Sequence, residues 1–369
     1  MNKLDGKSLF LQMVKKIQES RWSKIKSPSS PFLAFEFFLA LEESQSIGID
    51  TGWEPLYFSQ DNESLMYSFI KSHSYGEYIF DWDWANFYHQ HGVHYYPKLT
   101  SMVPFTSATI PHFLGHPSRE LMLTYEEFYE KNDFSSSHFL FLQEQEIEFF
   151  KSFNYLIRES FQYHFFNQGY ADFDDFLSHL KNKKSKQIKK EREFADEIKF
   201  NQFTGADLRT EHAFEMYQFY TSTIEDKNAI DYLKKEFFIS IFEKLKESIL
   251  YVQATSDDIP IAGALYFYNT EKLYGRYWGA TEIIPNLHFE LCYYQGIDFC
   301  LQRKLSVFEA GAQGEHKISR GFRPVKTYSA HKFKLPQFEK AIAKYIQEEG
   351  LHFDFLRAEL SKRLPFKNV

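Results

Sequence analysis

The fold reading turns on one stretch: Phe308-Glu309-Ala310-Gly311-Ala312-Gln313-Gly314-Glu315-His316-Lys317-Ile318-Ser319-Arg320-Gly321-Phe322. Residues 306–308 read as a strand, and the Gly- and Ala-rich run that follows allows close approach of backbone to a ligand. Glu315, His316, Lys317 and Arg320 then fall within six residues, so one strand end presents a base, an imidazole and two cations. Strands that end in polar loops are the usual ligand-binding arrangement of α/β proteins. The stretch is no P-loop, because Gly-x-x-x-x-Gly-Lys-Ser/Thr is absent, and no Gly-x-Ser-x-Gly elbow occurs in the chain.

Working outward, residues 197–203, 248–255, 261–268 and 273–277 read as strands, with Asn269-Thr270-Glu271-Lys272 as a turn. Helical spacing marks 213–219, 231–245, 286–302 and the closing segment 336–360. The first half repeats this theme. An apolar helical stripe runs through Phe35, Phe38, Leu39 and Leu41, and strands 53–58 and 64–70 flank the turn Gln60-Asp61-Asn62-Glu63. Residues 95–105 read as a strand interrupted by Pro97 and Pro104, and 144–166 has the apolar spacing of a helix. Both halves therefore share the order helix, strands, hairpin, strand, helix. No repeat of 20 to 50 residues is visible, which excludes a solenoid. The expectation is an α/β (α+β) protein with mixed central sheets flanked by helices, in units 1–171 and 197–369 joined by a basic helical connector, 172–196.

A chain of 369 residues exceeds the usual single core and accords with two units. Aromatic residues make up 19%, ample for sizeable cores. The net charge of −7 argues against a protein coated for generic nucleic-acid binding. Residues 181–192 are the local exception, with seven basic residues against Glu191. Cys292 and Cys300 form neither a disulfide framework nor a CxxC pair, so a reducing cytoplasm is expected. No apolar run reaches 18 residues, and neither a membrane span nor export is expected.

Two further polar clusters accompany the 308–322 stretch. Lys71-Ser72-His73-Ser74-Tyr75-Gly76-Glu77-Tyr78, with Asp81 beyond, follows a strand; its plain alternative is a solvated turn held by Ser and Gly. Arg276-Tyr277-Trp278-Gly279 with His288-Phe289-Glu290 and Tyr293-Tyr294-Gln295 forms the other. His288 and Glu290 have the His-x-Glu spacing of zinc deaminases, but no Pro-Cys-x-x-Cys follows. His112 and His116 have metal-ligand spacing without the Glu or the helix a zinc site needs, so no metal is expected.

Together these clusters resemble the bacterial predicted N-acyltransferases of peptidoglycan biosynthesis/recognition, a FemAB-like branch of the GNAT superfamily. The resemblance runs from about Pro31 to Lys344 through Lys71-Ser72-His73-Ser74, Tyr96-Pro97-Lys98, Tyr274-Gly275-Arg276-Tyr277-Trp278-Gly279, Glu309 to Lys317, and Thr327-Tyr328-Ser329-Ala330-His331. It implies tandem GNAT-like acyltransferase units. The basic run Lys183-Lys184-Ser185-Lys186-Gln187-Ile188-Lys189-Lys190 is also similar to the segment between the two units of Fem aminoacyltransferases, and 317–322 to their Lys-x-x-Phe-Gly stretch.

The resemblance implies transfer of an acyl or aminoacyl group to an amine, either a small molecule or a peptidoglycan precursor. Acyl-CoA and aminoacyl-tRNA are the two possible co-substrates, with no tightly bound cofactor. Residues 183–192, from Lys183 to Arg192, are the expected tRNA contact. For the acyl-CoA loop Arg/Gln-x-x-Gly-x-Gly/Ala, Arg276 to Thr281 fails the last position. Such chemistry needs a base for the amine and donors for the oxyanion. Glu309, Glu315 and His316 are the base candidates. Lys317 and Arg320 suit a phosphate or carboxylate. The remaining substrate-binding candidates are Lys71, His73, Glu77, Tyr96, Lys98, Arg276, Trp278, His288, Glu290, Gln313, Tyr328 and His331. The alternative is a binding module on the same scaffold, recognising a cell-wall precursor or RNA without catalysis.

Overall fold

The computed structural model describes residues 11–14, 16–25, 30–60, 63–79, 81–227 and 229–367; the hairpin turn expected at Asp61-Asn62 lies outside them. Two compact units are present, Met1–Ser160 with Lys326–Asp354, and Phe161–Val325 with Phe355–Val369. The sequence division at 171/172 and 196/197 differs in that it leaves 326–354 in the second half. Strand pairing supplies the reason below.

The first unit is built on β1 (Leu11–Val14), β2 (Trp53–Gln60), β3 (Ser64–Lys71), β4 (Lys98–Ser101), β5 (Phe113–Gly115) and β6 (Ser136–Leu142). β1 to β4 pair antiparallel in succession, and β4 pairs β6 in parallel. β5 pairs the opposite end of β3. β7 (Leu156–Phe166) leads into the second unit, whose strands are β8 (Ile198–Thr204), β9 (Ile249–Ser256), β10 (Ile259–Tyr268), β11 (Lys272–Ala280) and β12 (Val307–Glu309). β8 to β11 are again antiparallel in succession, and β11 pairs β12 in parallel. The order and directions of the first unit are thus repeated.

In both units an antiparallel strand covers the far side of the parallel pair, and it comes from the other half of the chain. β7 pairs β12, whereas β13 (Arg323–Phe333) pairs β6. That pairing is what carries 326–354 into the first unit. It also corrects the helix expected over 144–166. The helical turns stop at Lys151, Asn154 adopts the left-handed φ of 62°, and the chain re-emerges as the eleven-residue strand β7.

The connection inside each parallel pair is helical, as such pairs require. In the first unit it includes helix Arg119–Lys131, capped by Ser118 Oγ, which accepts from Leu121 N at 3.2 Å. Leu121, Met122, Tyr125 and Tyr129 recur along one face and meet Phe58, Leu99 and Phe139 in the core. The second unit buries Leu250, Val252, Tyr266, Ile297, Phe308 and Phe322 together.

Phe139 is fully buried, and its ring centroid lies 4.3 Å from Phe150, 5.3 Å from Tyr125 and 5.4 Å from Tyr155. Phe139→Ala should therefore destabilise the first unit by about 3–5 kcal/mol, against under ~1.5 kcal/mol for Phe139→Leu. Urea unfolding midpoints of the wild type and the two variants check this; a Phe139→Ala midpoint equal to the wild-type one would show that the ring cluster contributes little.

Candidate functional site

The sequence candidates divide between the units. In the first, the residues around the β3 end and the β4 start close on one another. Lys98 Nζ lies 2.5 Å from Asp81 Oδ2, 2.8 Å from Glu77 Oε2 and 2.8 Å from Ser74 Oγ. Lys71 Nζ is 4.0 Å from Glu77 Oε1 and sits over the Trp53 ring, 3.3 Å from its centroid. Tyr95 donates to Asp81 at 2.8 Å, and the Tyr96 hydroxyl pairs with Ser74 at 2.9 Å. Lys71, Glu77, Asp81 and Lys98 are all buried. Burial alone lowers Lys98, but Asp81 and Glu77 outweigh it and raise its pKa. Burial pushes Lys71 well below the ordinary lysine value and Glu77 above the ordinary carboxylate value.

His73 Nε2 meets the Thr51 carbonyl at 3.1 Å. His331 Nδ1 meets His138 Nδ1 at 2.8 Å, and its Nε2 lies 2.7 Å from Ser329 Oγ; burial lowers both imidazoles well below the ordinary value. Tyr328 packs on the core of the first unit. Most of these groups have one another, or their own backbone, as partners, but His73 Nδ1, Glu77 Oε1 and Asp81 Oδ1 are buried without a hydrogen bond.

The second unit holds an open site. β11 and β12 pair only from Lys272 to Tyr274 against Val307 to Glu309. Beyond that, β11 continues to Ala280, whereas the chain after Glu309 leaves as Ala310 and Gly311. A cavity of about 120 Å³ opens where they part, bounded by Gly275 to Trp278 and by Ala264 to Tyr266 of β10. The β10–β11 register slips between Leu265 and Tyr266, leaving Arg276 as the extra residue of a bulge. Arg276 to Ala280 is therefore strand, which is why the acyl-CoA loop pattern finds no match there.

His288, Cys292 and Tyr293 close the other side. Cys292 and Tyr293 lie in a π-helical turn, Glu290–Tyr294, inserted just before helix Gln295–Arg303. Such turns widen a helix by one residue and are frequent at functional sites. Sequence periodicity predicts one continuous helix here and gives no sign of the insertion.

Lys317 borders this cavity. Its Nζ donates to the Gly311 carbonyl at 3.0 Å and lies 5.8 Å from the Tyr293 centroid. It is buried, and among the described residues no carboxylate pairs with it. Burial pushes its pKa down to about 8. His316 is exposed, like Glu315, with Nε2 2.8 Å from the Tyr293 hydroxyl; partial burial of its ring, Arg320 and Lys317 lower its pKa. His288 packs edge-on to Trp278 at 4.6 Å, and burial together with His316 and nearby cations lowers it to about 4.

The other candidates have different surroundings. Glu309 is buried, with Oε1 accepting from Lys272 at 2.9 Å. It faces away from Phe308, as strand alternation requires, but not into solvent. Glu315 is exposed, 3.4 Å from Arg363, and Gln313 is exposed. Arg320 pairs with Glu191 at 2.8 Å and stacks on Phe289, 3.5 Å from its centroid. Glu290 takes both arms of Arg192, at 3.0 and 2.8 Å. The basic segment forms helix Asn182–Glu191, with Lys183, Lys186, Lys189 and Lys190 exposed. Arg192 turns inward to Glu290 and Asp298, and Lys189 reaches Asp174 at 3.0 Å. Among the described residues, no helix is long and apolar enough to cross a membrane.

Solved structures share this architecture at low identity. The C-terminal domain (DUF2156) of a putative lysylphosphatidylglycerol synthetase from Agrobacterium fabrum aligns over 89% of this chain and 95% of its own, with 9% identity and a TM-score of 0.54. FemX aligns over 90% and 100%, with 8% identity and a TM-score of 0.51. L-PGS from Bacillus licheniformis aligns over 84% and 96%, with 10% identity and a TM-score of 0.50. The chain has the tandem GNAT-like α/β fold. No curated protein sequence matches it. The family model for peptidoglycan biosynthesis/recognition spans residues 13–368, both units included, and the chain belongs to this FemAB-like family.

Proposed function

We propose that the chain is an N-acyltransferase and that the cavity between β11 and Ala310-Gly311 is where the amide forms. The observation that carries this reading is Lys317, a buried ammonium without a carboxylate partner among the described residues, beside two imidazoles lowered toward their neutral form. Removing a charge from water without pairing it is costly, so the position suits a group kept for a ligand.

In the proposed step an acceptor nitrogen attacks the donor carbonyl and the new C–N bond leaves a tetrahedral oxyanion, which Lys317 stabilises. The amine proton passes through the Tyr293 hydroxyl to His316 Nε2. The C–S or C–O bond to the leaving group then breaks, and the imidazolium returns the proton to it. Glu309 and Glu315 have ion partners of their own, which makes His316 the preferred base of the three. Either an acyl thioester such as acyl-CoA or an aminoacyl-tRNA can serve as donor. The acceptor is a small-molecule amine or the amine of a peptidoglycan precursor, and both donors place the reaction in the cytoplasm.

The step needs neutral His316 and charged Lys317. Turnover should rise with pH through a midpoint below 6.5, where His316 loses its proton, and fall through about 8, where Lys317 does. Hydroxamate formation from acetyl-N-acetylcysteamine and hydroxylamine reads this profile. His316→Ala should cost ~10²-fold or more and remove the acid limb, while Glu309→Gln and Glu315→Gln keep it. A profile unchanged in His316→Ala sinks the assignment; no transfer above the protein-free rate favours the binding-module alternative.

If aminoacyl-tRNA is the donor, the exposed lysines of helix Asn182–Glu191 are its natural phosphate contacts. With about four phosphates neutralised, log affinity should fall with log salt at a slope of about −3, roughly 60-fold between 50 and 200 mM. Filter binding of bulk tRNA measures it, and salt-insensitive binding would leave the helix as a solvated surface.

A further inference from the structure

The charged side chains that line or edge the second-unit cavity are cationic, the nearby Glu290 and Glu309 being held by Arg192 and Lys272. Among the described residues that line it there is no Asp or Glu, whereas Arg276 is part of its wall and Lys317 Nζ bonds the Gly311 carbonyl at its edge. The remaining polar groups are uncharged: burial holds the Cys292 thiol and the Tyr293 phenol in their protonated forms. The same cations act on the two histidines beside the cavity. Every charged neighbour that acts on His288, namely His316, Lys227, Lys317 and Arg320, lowers its pKa, and both charged neighbours of His316 do likewise.

An ammonium placed here would meet like charge in a partly desolvated space, with no carboxylate to receive it, and close like-charge contacts cost several kcal/mol. A carboxylate would be welcomed by the same field. The volume, about 120 Å³, corresponds to roughly four waters, room for an acyl group on the order of seven heavy atoms. Size therefore admits a small acyl group of any charge, and charge alone discriminates.

We propose that this cavity selects short acyl groups that are uncharged or carry a carboxylate and rejects those with a free α-ammonium, so that the donor is a simple or dicarboxylic acyl thioester rather than an unmodified aminoacyl ester. The inference rests on the acyl-transfer reading above. It deepens that reading by naming the class of acyl group.

Acetyl-, succinyl- and glycyl-N-acetylcysteamine separate charge from size, because the glycyl group is intermediate in length. Calorimetric titration of each thioester, before any acceptor is added, should place succinyl at or below acetyl in Kd and glycyl at least tenfold above. Hydroxamate formation after hydroxylamine addition should follow the same order, as the thioester C–S bond breaks and the C–N bond forms with release of N-acetylcysteamine. In Lys317→Gln, shown to be folded by an unchanged melting transition, the order should collapse to within about threefold. Glycyl binding equal to or tighter than acetyl overturns the proposal even if transfer is observed. An order that persists in Lys317→Gln overturns the role of Lys317. Ordered binding without any transfer supports the charge selection and removes the acyl-transfer reading instead.

Discussion

Phe308 fixes the geometry from which the site follows. Its ring is fully buried at the end of β12, with Tyr266 and Phe322 centroids at 5.8 and 5.4 Å. Helix Gln295–Arg303 and β11 both close down on it where they carry glycine. A Cβ on Gly296 would fall 2.6 Å from the ring, and one on Gly275 would fall 3.2 Å from it. The helix therefore lies tight against the strand end. Three residues after Phe308, Gly311 turns at φ 84° and the chain leaves the sheet, while β11 runs on to Ala280. The gap between them is the cavity, and the π turn just before Gly296 presents Cys292 and Tyr293 to it.

Lys98 and Lys317 are buried in opposite settings, while Lys71 of the first unit, lowered by burial and lying over the Trp53 ring, is closer to Lys317. Lys98 is surrounded by Asp81, Glu77 and Ser74, all within hydrogen-bonding distance, so its charge is compensated where water is absent. An arrangement of this kind is strongly destabilised when one partner is removed, because the other charge is left buried. Its effect is to tie the 71–81 loop to β4. Lys317 has one carbonyl and an aromatic face instead, and its pKa falls to about 8. A compensated lysine holds structure; an uncompensated one is available to a ligand.

Alternation made the second half legible. The strands expected at 197–203, 248–255, 261–268 and 273–277 match β8 to β11, and the closing helix is Pro336–Lys362. β7 was misleading because Phe149, Phe150 and Phe153 continue a helical apolar pattern up to the turn at Asn154, and only backbone conformation ends it. β13 carries Arg323, Pro324, Lys326 and Lys332 among its residues, a composition that reads as loop until its pairing with β6 is known. Helix Arg119–Lys131 had readable signals in Ser118 and the Leu121, Tyr125, Tyr129 spacing, yet no reading placed it. At the site, Arg276, Trp278, His288, His316 and Lys317 were legible as polar clusters near strand ends. The contact of Tyr293, which lines the cavity, with His316 depends on the π turn, which periodicity does not reveal.

The fold repeats, but the side chains beyond its two parallel pairs differ. β4 and β6 of the first unit are the counterpart of β11 and β12, a parallel pair three residues long that precedes a parting of the chain. Beyond β4 the chain continues as Met102, Val103 and Phe105, all buried, with Phe105 packed 5.1 Å from Trp53. Beyond the β11–β12 pair it continues as Arg276 and Trp278 on one side and Ala310-Gly311 on the other. The same backbone device is therefore filled with apolar side chains in one unit and lined with polar groups in the other. Packing an interior with Phe and Met gains stability and excludes ligand. Small residues and a lone ammonium forgo that gain, and the sequence accepts this beyond the β11–β12 pair, beside His288 and His316.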